Sequence, residues 1–402
     1  MSGIRRRALL RSAPLLSRAL FISYAAAGVN QLASVVLSTV LPFHVTALGG
    51  SSVEVGLLFS VMTVASMLVR PVAGSWADRH GVGTVLLPGA VAIGVASVAM
   101  QLAWTPLAVA VVMVGVGVGG ALVSTGATVL NTRASPPERR GEALSLYYLA
   151  TSLSVAVGPP LALGLWWLGG IRATLVAVTA MAAGLVGLTL SRAVATGSAR
   201  TAALPGFRMA SHHALPIAIT LILTVLGNSS IYAFLPLYAV SAGRGPAVPL
   251  FFAGYALCLI AGRVFLRRLP DRVGRERAVR GAIALTALGF LGLALPPTPA
   301  SLLVAGIVLG SGSSLLYPTL AALVVERTPE SERGLALGTL SAAWDLAVVL
   351  GSTLIGLVAD VASYAAGFAV GGSSAGLGLL AFALQERRRA RGVALPRPAA
   401  GV

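Results

Sequence analysis

Long apolar runs alternate with short polar stretches along almost the whole chain. The runs have the length that crosses a bilayer, about 20 residues. Twelve can be marked, at 19–41, 53–75, 84–104, 106–130, 142–166, 171–190, 214–238, 247–267, 279–297, 300–325, 334–358 and 364–385. Only Trp104-Thr105-Pro106 divides the third from the fourth, and only Pro296-Pro297-Thr298-Pro299 the ninth from the tenth. Proline keeps the residue before it out of the helical region, so both read as tight turns. A basic arm precedes the first run, as it would in a secretory signal. That run is long enough to span and ends at Leu41-Pro42 without a small-residue cleavage site, so it reads as the first membrane helix. The pattern predicts an all-α membrane protein with twelve transmembrane helices.

Composition strengthens the membrane reading. Charged residues make up 10% of the 402, against about 25% in soluble proteins, and mean hydropathy is +0.89. The net charge of +17 raises the question of a nucleic-acid partner. Every basic residue is Arg, and the arginines fall between the apolar runs and not along one helix face. That is the pattern of basic loops held in the cytoplasm, and it argues against nucleic acid. Of the odd-to-even connections, only the two holding Arg172 and Arg244 carry arginine; the other 27 of 29 lie in the termini, in the even-to-odd connections or beside them. Both termini are therefore expected in the cytoplasm of a plasma-membrane protein. Cys258 stands alone in an apolar run, which leaves no disulfide or cysteine metal site. The adjacent His212-His213 offers too few ligands for a metal. Glycine runs such as Gly115-x-Gly117-x-Gly119-Gly120 suit close helix approach, and no G-K-[ST] follows them, so ATP is not the expected energy source. No catalytic triad, zinc spacing or paired carboxylates appear, and neither an enzyme nor a bound cofactor is expected.

The chain repeats itself. Arg70, Asp78, Arg79 and Gly81 recur as Arg263, Asp271, Arg272 and Gly274, each 193 residues on. Arg140-Gly141 recurs as Arg333-Gly334, and Gly117, Gly119 and Gly158 as Gly310, Gly312 and Gly351, at the same spacing. Six spans have been duplicated in parallel, an arrangement known from transporters whose substrate sits between the halves. The expected organisation is a six-helix bundle over 1–190, a cytoplasmic linker over 191–213, and a second bundle over 214–402 with a basic tail. The linker's charge, Gly and Pro mark it as solvated. Asp345 lies about 11 residues into its span, roughly 16 Å along the helix. A charge so deep is a functional candidate unless a partner neutralises it. Glu54 and Asp360, at the opposite helix ends, read as interfacial.

Gly74-x-x-x-Asp78-Arg79-x-Gly81 resembles the signature loop between helices 2 and 3 of the major facilitator superfamily, and Asp271-Arg272-x-Gly274-Arg275 its counterpart between helices 8 and 9. Six plus six spans around a basic middle loop extend the resemblance over essentially the whole chain. Arg70-Pro71-x-x-Gly74 and Trp344-Asp345-Leu346 are similar to bacterial sugar-efflux and drug-efflux members. The resemblance implies two pseudo-symmetric six-helix bundles working as a monomer by alternating access. It places helix 2 beside helix 11, so that Asp78 could latch a helix N-terminus, with Arg70, Gly74, Arg79, Gly81 and Arg263, Asp271, Arg272, Gly274 completing the gates. It makes Arg70 a neighbour of Asp345, whose role is then structural partner, proton carrier or substrate ligand. It puts helices 1, 4, 7 and 10 around the cavity, with Asn30, Gln31, Asn228, Tyr232, Tyr317 and Trp344 as substrate-binding candidates. The chain departs from the drug-antiporter pattern in lacking a basic residue in span 4, and Arg267 replaces the glycine that would lead the second loop. The expected function is proton-coupled efflux of a small, partly apolar compound. The alternatives are transport of a sugar or organic acid, and a membrane sensor that moves nothing.

Overall fold

The computed structural model describes residues 17–103, 105–136, 139–190, 211–265 and 269–391, and no strand occurs among them. The chain opens with α1 (Arg18–Ala47), α2 (Ser52–His80), α3 (Gly83–Met100) and α4 (Pro106–Ala134). A helical stretch of 50 residues follows, Arg140–Thr189. Unbroken, it would reach about 75 Å, more than twice the apolar thickness of a bilayer. It breaks at Gly169 and Gly170, and Gly170 (φ 59°, ψ −148°) adopts a backbone conformation that side chains disfavour. The arms before and after this break are α5 and α6. The second half contains α7 (Leu215–Val225), α8 (Val248–Phe265), α9 (Arg275–Leu293), α10 (Pro299–Arg327), α11 (Arg333–Val361) and α12 (Tyr364–Ala390).

Ten helical segments among the described residues are long and apolar enough to cross a membrane. The α5–α6 stretch is one of them and supplies two crossings. α9 completes the set of twelve: its 19 residues open on Arg275, Glu276, Arg277 and Arg280 and continue as a mostly apolar run. The expected seventh span, 214–238, is not one helix. After Val225 the chain tightens into a 3-10 turn at Leu226–Ser229, then resumes as the short helices Ser230–Ala233 and Leu235–Ser241. The cause is local. Ser230 Oγ donates to Gly227 O at 2.5 Å, and Pro236 has no N–H for the turn before it.

The helices form two six-helix bundles. In the first, α1 packs on the α5–α6 stretch and on α4, while α2 and α3 both pack on α4. In the second, α10 takes α8 and α9, and α12 takes α7 and α9. The duplicated residues do the same work in each. Gly81 and Gly274 end the α2 and α8 sides of their hinges with φ of 95° and 90°. A Cβ on Gly117 would lie 2.3 Å from Met62 O, and one on Gly310 2.3 Å from Tyr255 O; Met62 and Tyr255 are themselves 193 residues apart. The α2–α4 and α8–α10 contacts are thus copies of one close approach.

Between bundles, α2 lies along α11 and the α5–α6 stretch along α8. At the end opposite the hinges a single apolar cluster joins the halves, drawing on Leu41 and Phe59 from the first and on Phe234, Phe251 and Ile355 from the second. Toward the hinges the core divides into separate clusters, one around Leu86 and Leu185 in the first half and one around Leu320 and Phe382 in the second. The halves are joined by packing at one end only.

Candidate functional site

Where the halves meet at mid-height, the polar side chains gather. A cavity of about 190 Å³ lies among α1, α2, α4 and α11. Asn30 and Gln31 of α1 line it, with Ser66 and Arg70 of α2, Ser124 of α4 and Asp345 of α11. An amphipathic period explains Ser66 and Arg70, which stand four apart on one face of α2. Ser66 satisfies itself by donating to Gly117 O at 2.8 Å, so its hydroxyl costs little in an apolar bundle.

The deep carboxylate has a partner. Arg70 Nη1 donates to Asp345 Oδ2, across the seam between halves. The two are buried unequally: the Asp345 side chain is 10% exposed and that of Arg70 44%. Both side chains line the cavity, the guanidinium being the more exposed of the two. A buried ion left alone here would cost several kcal/mol, about the effective penalty per ion in real proteins.

Of the residues expected to bind substrate, Asn30 and Gln31 share this cavity. Asn228, Tyr232, Tyr317 and Trp344 are half-buried elsewhere in the second half. Tyr317 stacks edge-on against Trp344, with ring centres 5.7 Å apart, and its hydroxyl lies 3.1 Å from Ser341 Oγ. Tyr232 stacks on Phe252 at 5.8 Å, and Asn228 sits in the 3-10 turn of the broken seventh span. Ser66 was missed in the sequence, although its spacing from Arg70 signals it.

At the hinges, Asp78 accepts from Arg133 Nη2 of α4 at 2.7 Å, within its own bundle. Gly74 is half-buried beside it, and Arg79 is exposed. In the second copy Arg272 is exposed and Gly274 makes the turn, while the side chains of Arg263 and Asp271 lie outside those described. A wider ion network occupies that end. Arg327 holds both oxygens of Glu386, at 2.7 and 3.0 Å, and Glu276 at 3.3 Å, while Arg275 holds Glu326 at 3.0 Å. Among the described residues no group of His, Cys, Asp and Glu could hold a metal ion.

A family model described as "Major Facilitator Superfamily" matches residues 21–301 and 217–401. The chain belongs to that superfamily. It is therefore a multi-pass membrane transporter and not an enzyme. An uncharacterized MFS-type transporter of Pseudomonas aeruginosa is 30% identical over 366 residues, covering 88% of this chain and 89% of the relative. One from Salmonella typhimurium is 26% identical over 379 residues, covering 90% and 93%. Among solved structures, a POT family transporter in complex with a thioalcohol-conjugated peptide overlays with a TM-score of 0.77 at 15% identity, covering 93% of this chain and 96% of its own. The nucleoside transporter NupG overlays at 0.73 and 15%, covering 91% and 99%, and the human organic anion transporter MFSD10 at 0.63 and 17%, also covering 91% and 99%. These overlays show that the chain shares the overall fold of those transporters.

Proposed function

We propose that this superfamily member is a proton-coupled exporter of a small, partly apolar compound in the bacterial plasma membrane, working as a monomer with hinges and termini in the cytoplasm. The observation that carries the reading is the Arg70–Asp345 pair, which bridges the two halves at a polar cavity. A proton arriving at Asp345 removes its charge, and with it the attraction that ties α11 to α2. Arg70 is then free to turn toward the cavity, and the halves are free to rearrange. A small, mostly uncharged cavity wall of Asn30, Gln31 and serines suits a cargo held by a few hydrogen bonds and much apolar contact. The excess of arginine on the hinge side supports the orientation.

One observation favours a second reading. Arg70 lines the cavity with its side chain 44% exposed, and a guanidinium there would suit the carboxylate of an organic acid. The test for both is flux in sealed proteoliposomes with an imposed pH gradient and a panel of labelled drugs, sugars and organic acids. Under the proposal, Asp345→Asn abolishes pH-driven accumulation yet keeps cargo-for-cargo exchange. Accumulation that survives this substitution removes Asp345 as the proton carrier, and a protein that moves nothing in any gradient removes transport itself.

A further inference from the structure

The end of the molecule opposite the hinges holds a feature that the signature loops do not account for. A helix begins with N–H groups that its own turns cannot satisfy. α2 caps part of its start by itself: Ser51 Oγ accepts from Glu54 N at 3.2 Å, and Glu54 Oε2 accepts from Ser51 N at 2.8 Å. This box leaves the N–H groups of Ser52 and Val53 over. Both are taken by one carboxylate from the other half of the molecule. Asp360 Oδ1 accepts from Ser52 N at 2.9 Å, and Asp360 Oδ2 accepts from Val53 N at 2.9 Å.

Asp360 stands one residue before the end of α11, where the helix's own dipole disfavours a negative charge. Its position is unfavourable within its own helix and favourable only toward α2, whose N-terminus attracts an anion. The surrounding seam is built for close approach. A Cβ on Gly356 would lie 2.5 Å from Ser52 O, and one on Gly56 2.2 Å from Ser352 O. Ser60 Oγ lies 2.9 Å from Val349 O and 2.8 Å from Thr353 Oγ1. Ser52 Oγ and Tyr364 OH, 3.4 Å apart, flank the carboxylate.

We propose that Asp360 is the clasp of the outer gate: its carboxylate, seated on the N-terminus of α2, holds the halves shut on the outer side while the hinge side is open. The names of the two sides rest on the orientation proposed above; the clasp itself does not depend on the cargo or the coupling ion. Each time the carrier turns outward, both hydrogen bonds break and the two N–H groups pass to water.

The test reads the gap directly. In a Cys258→Ser background, Ala47→Cys at the end of α1 and Ala242→Cys after the seventh span carry spin labels on exposed positions of opposite halves at this end. Pulsed electron paramagnetic resonance of the purified full-length chain in lipid nanodiscs gives their distance distribution. Asp360→Ala, and separately the milder Asp360→Asn, are expected to raise the ratio of wide to narrow distances roughly tenfold, equivalent to about 1.4 kcal/mol. Glu54→Gln removes a charge from the same helix end without touching the other half and is expected to leave the distribution unchanged. Distributions that stay narrow in both Asp360 variants overturn the proposal. Equal widening in Glu54→Gln overturns it too, because the effect would then be simple fraying of α2. Failure of transport in every variant, with these distances behaving as expected, would count against the proposed cargo movement and leave the clasp standing.

Discussion

At the scale of single residues, the buried charges Asp345 and Arg327 are each met by an opposite charge, and Asp360 by a helix N-terminus. Arg327 shows the principle outside the cavity. Its side chain is 12% exposed and its planar fork meets both oxygens of Glu386. Hydrogen bonds to charged groups contribute about 1.5–3 kcal/mol, so Arg327→Met is expected to destabilise the second bundle by that order, read as a lower melting temperature in detergent. Arg327→Lys keeps the charge but not the fork, and is expected to recover only part of the loss. A full recovery would mean that charge alone matters there. The sequence made Asp345 visible because a carboxylate inside an apolar run is conspicuous. Asp360 was not visible in the same way: a carboxylate near a helix end looks interfacial, and its partner is a backbone 308 positions away.

At the scale of elements, the twelve spans were legible because the bilayer imposes one length on every apolar run. The starts and ends of α8 and α10 fall within a few residues of the expected spans. What could not be read was the break in the seventh span, because Gly227-Asn228-Ser229-Ser230 is a polar dip of only four residues inside an otherwise apolar run of spanning length. Likewise the cavity draws on α2 and α11 as well as α1 and α4, where the family resemblance pointed to helices 1, 4, 7 and 10. Neighbourhood across the seam is a tertiary fact that no single helix encodes. Glycine spacing, by contrast, foretold the close helix pairs. Gly117→Ala and Gly310→Ala push a methyl group against backbone carbonyls and are expected to cost about 1–3 kcal/mol each. Gly376→Ala in α12 meets nothing within 4 Å and is expected to add about 0.4–1 kcal/mol. Thermal unfolding of the three variants side by side checks this, and equal behaviour would show that close approach is not what these glycines serve.

At the scale of the whole molecule, the duplicated hinges and the duplicated Gly117 and Gly310 contacts make each bundle a rigid unit of similar build. Asp78 is paired with Arg133 inside the first bundle, so in the arrangement seen here it does not spend its charge on the other half. The asymmetry lies in the apolar packing. One cluster, with Phe234, Phe251 and Ile355 against Leu41 and Phe59, spans both bundles at the end away from the hinges. Separating the bundles there would hydrate those faces, a process with a positive heat capacity that grows less unfavourable on cooling. The balance between the carrier's two postures should therefore follow a curved temperature dependence, with chilled membranes enriched in the posture that exposes this cluster. The labels on Ala47→Cys and Ala242→Cys, frozen from a series of starting temperatures, would register it as a wide fraction that climbs toward the cold.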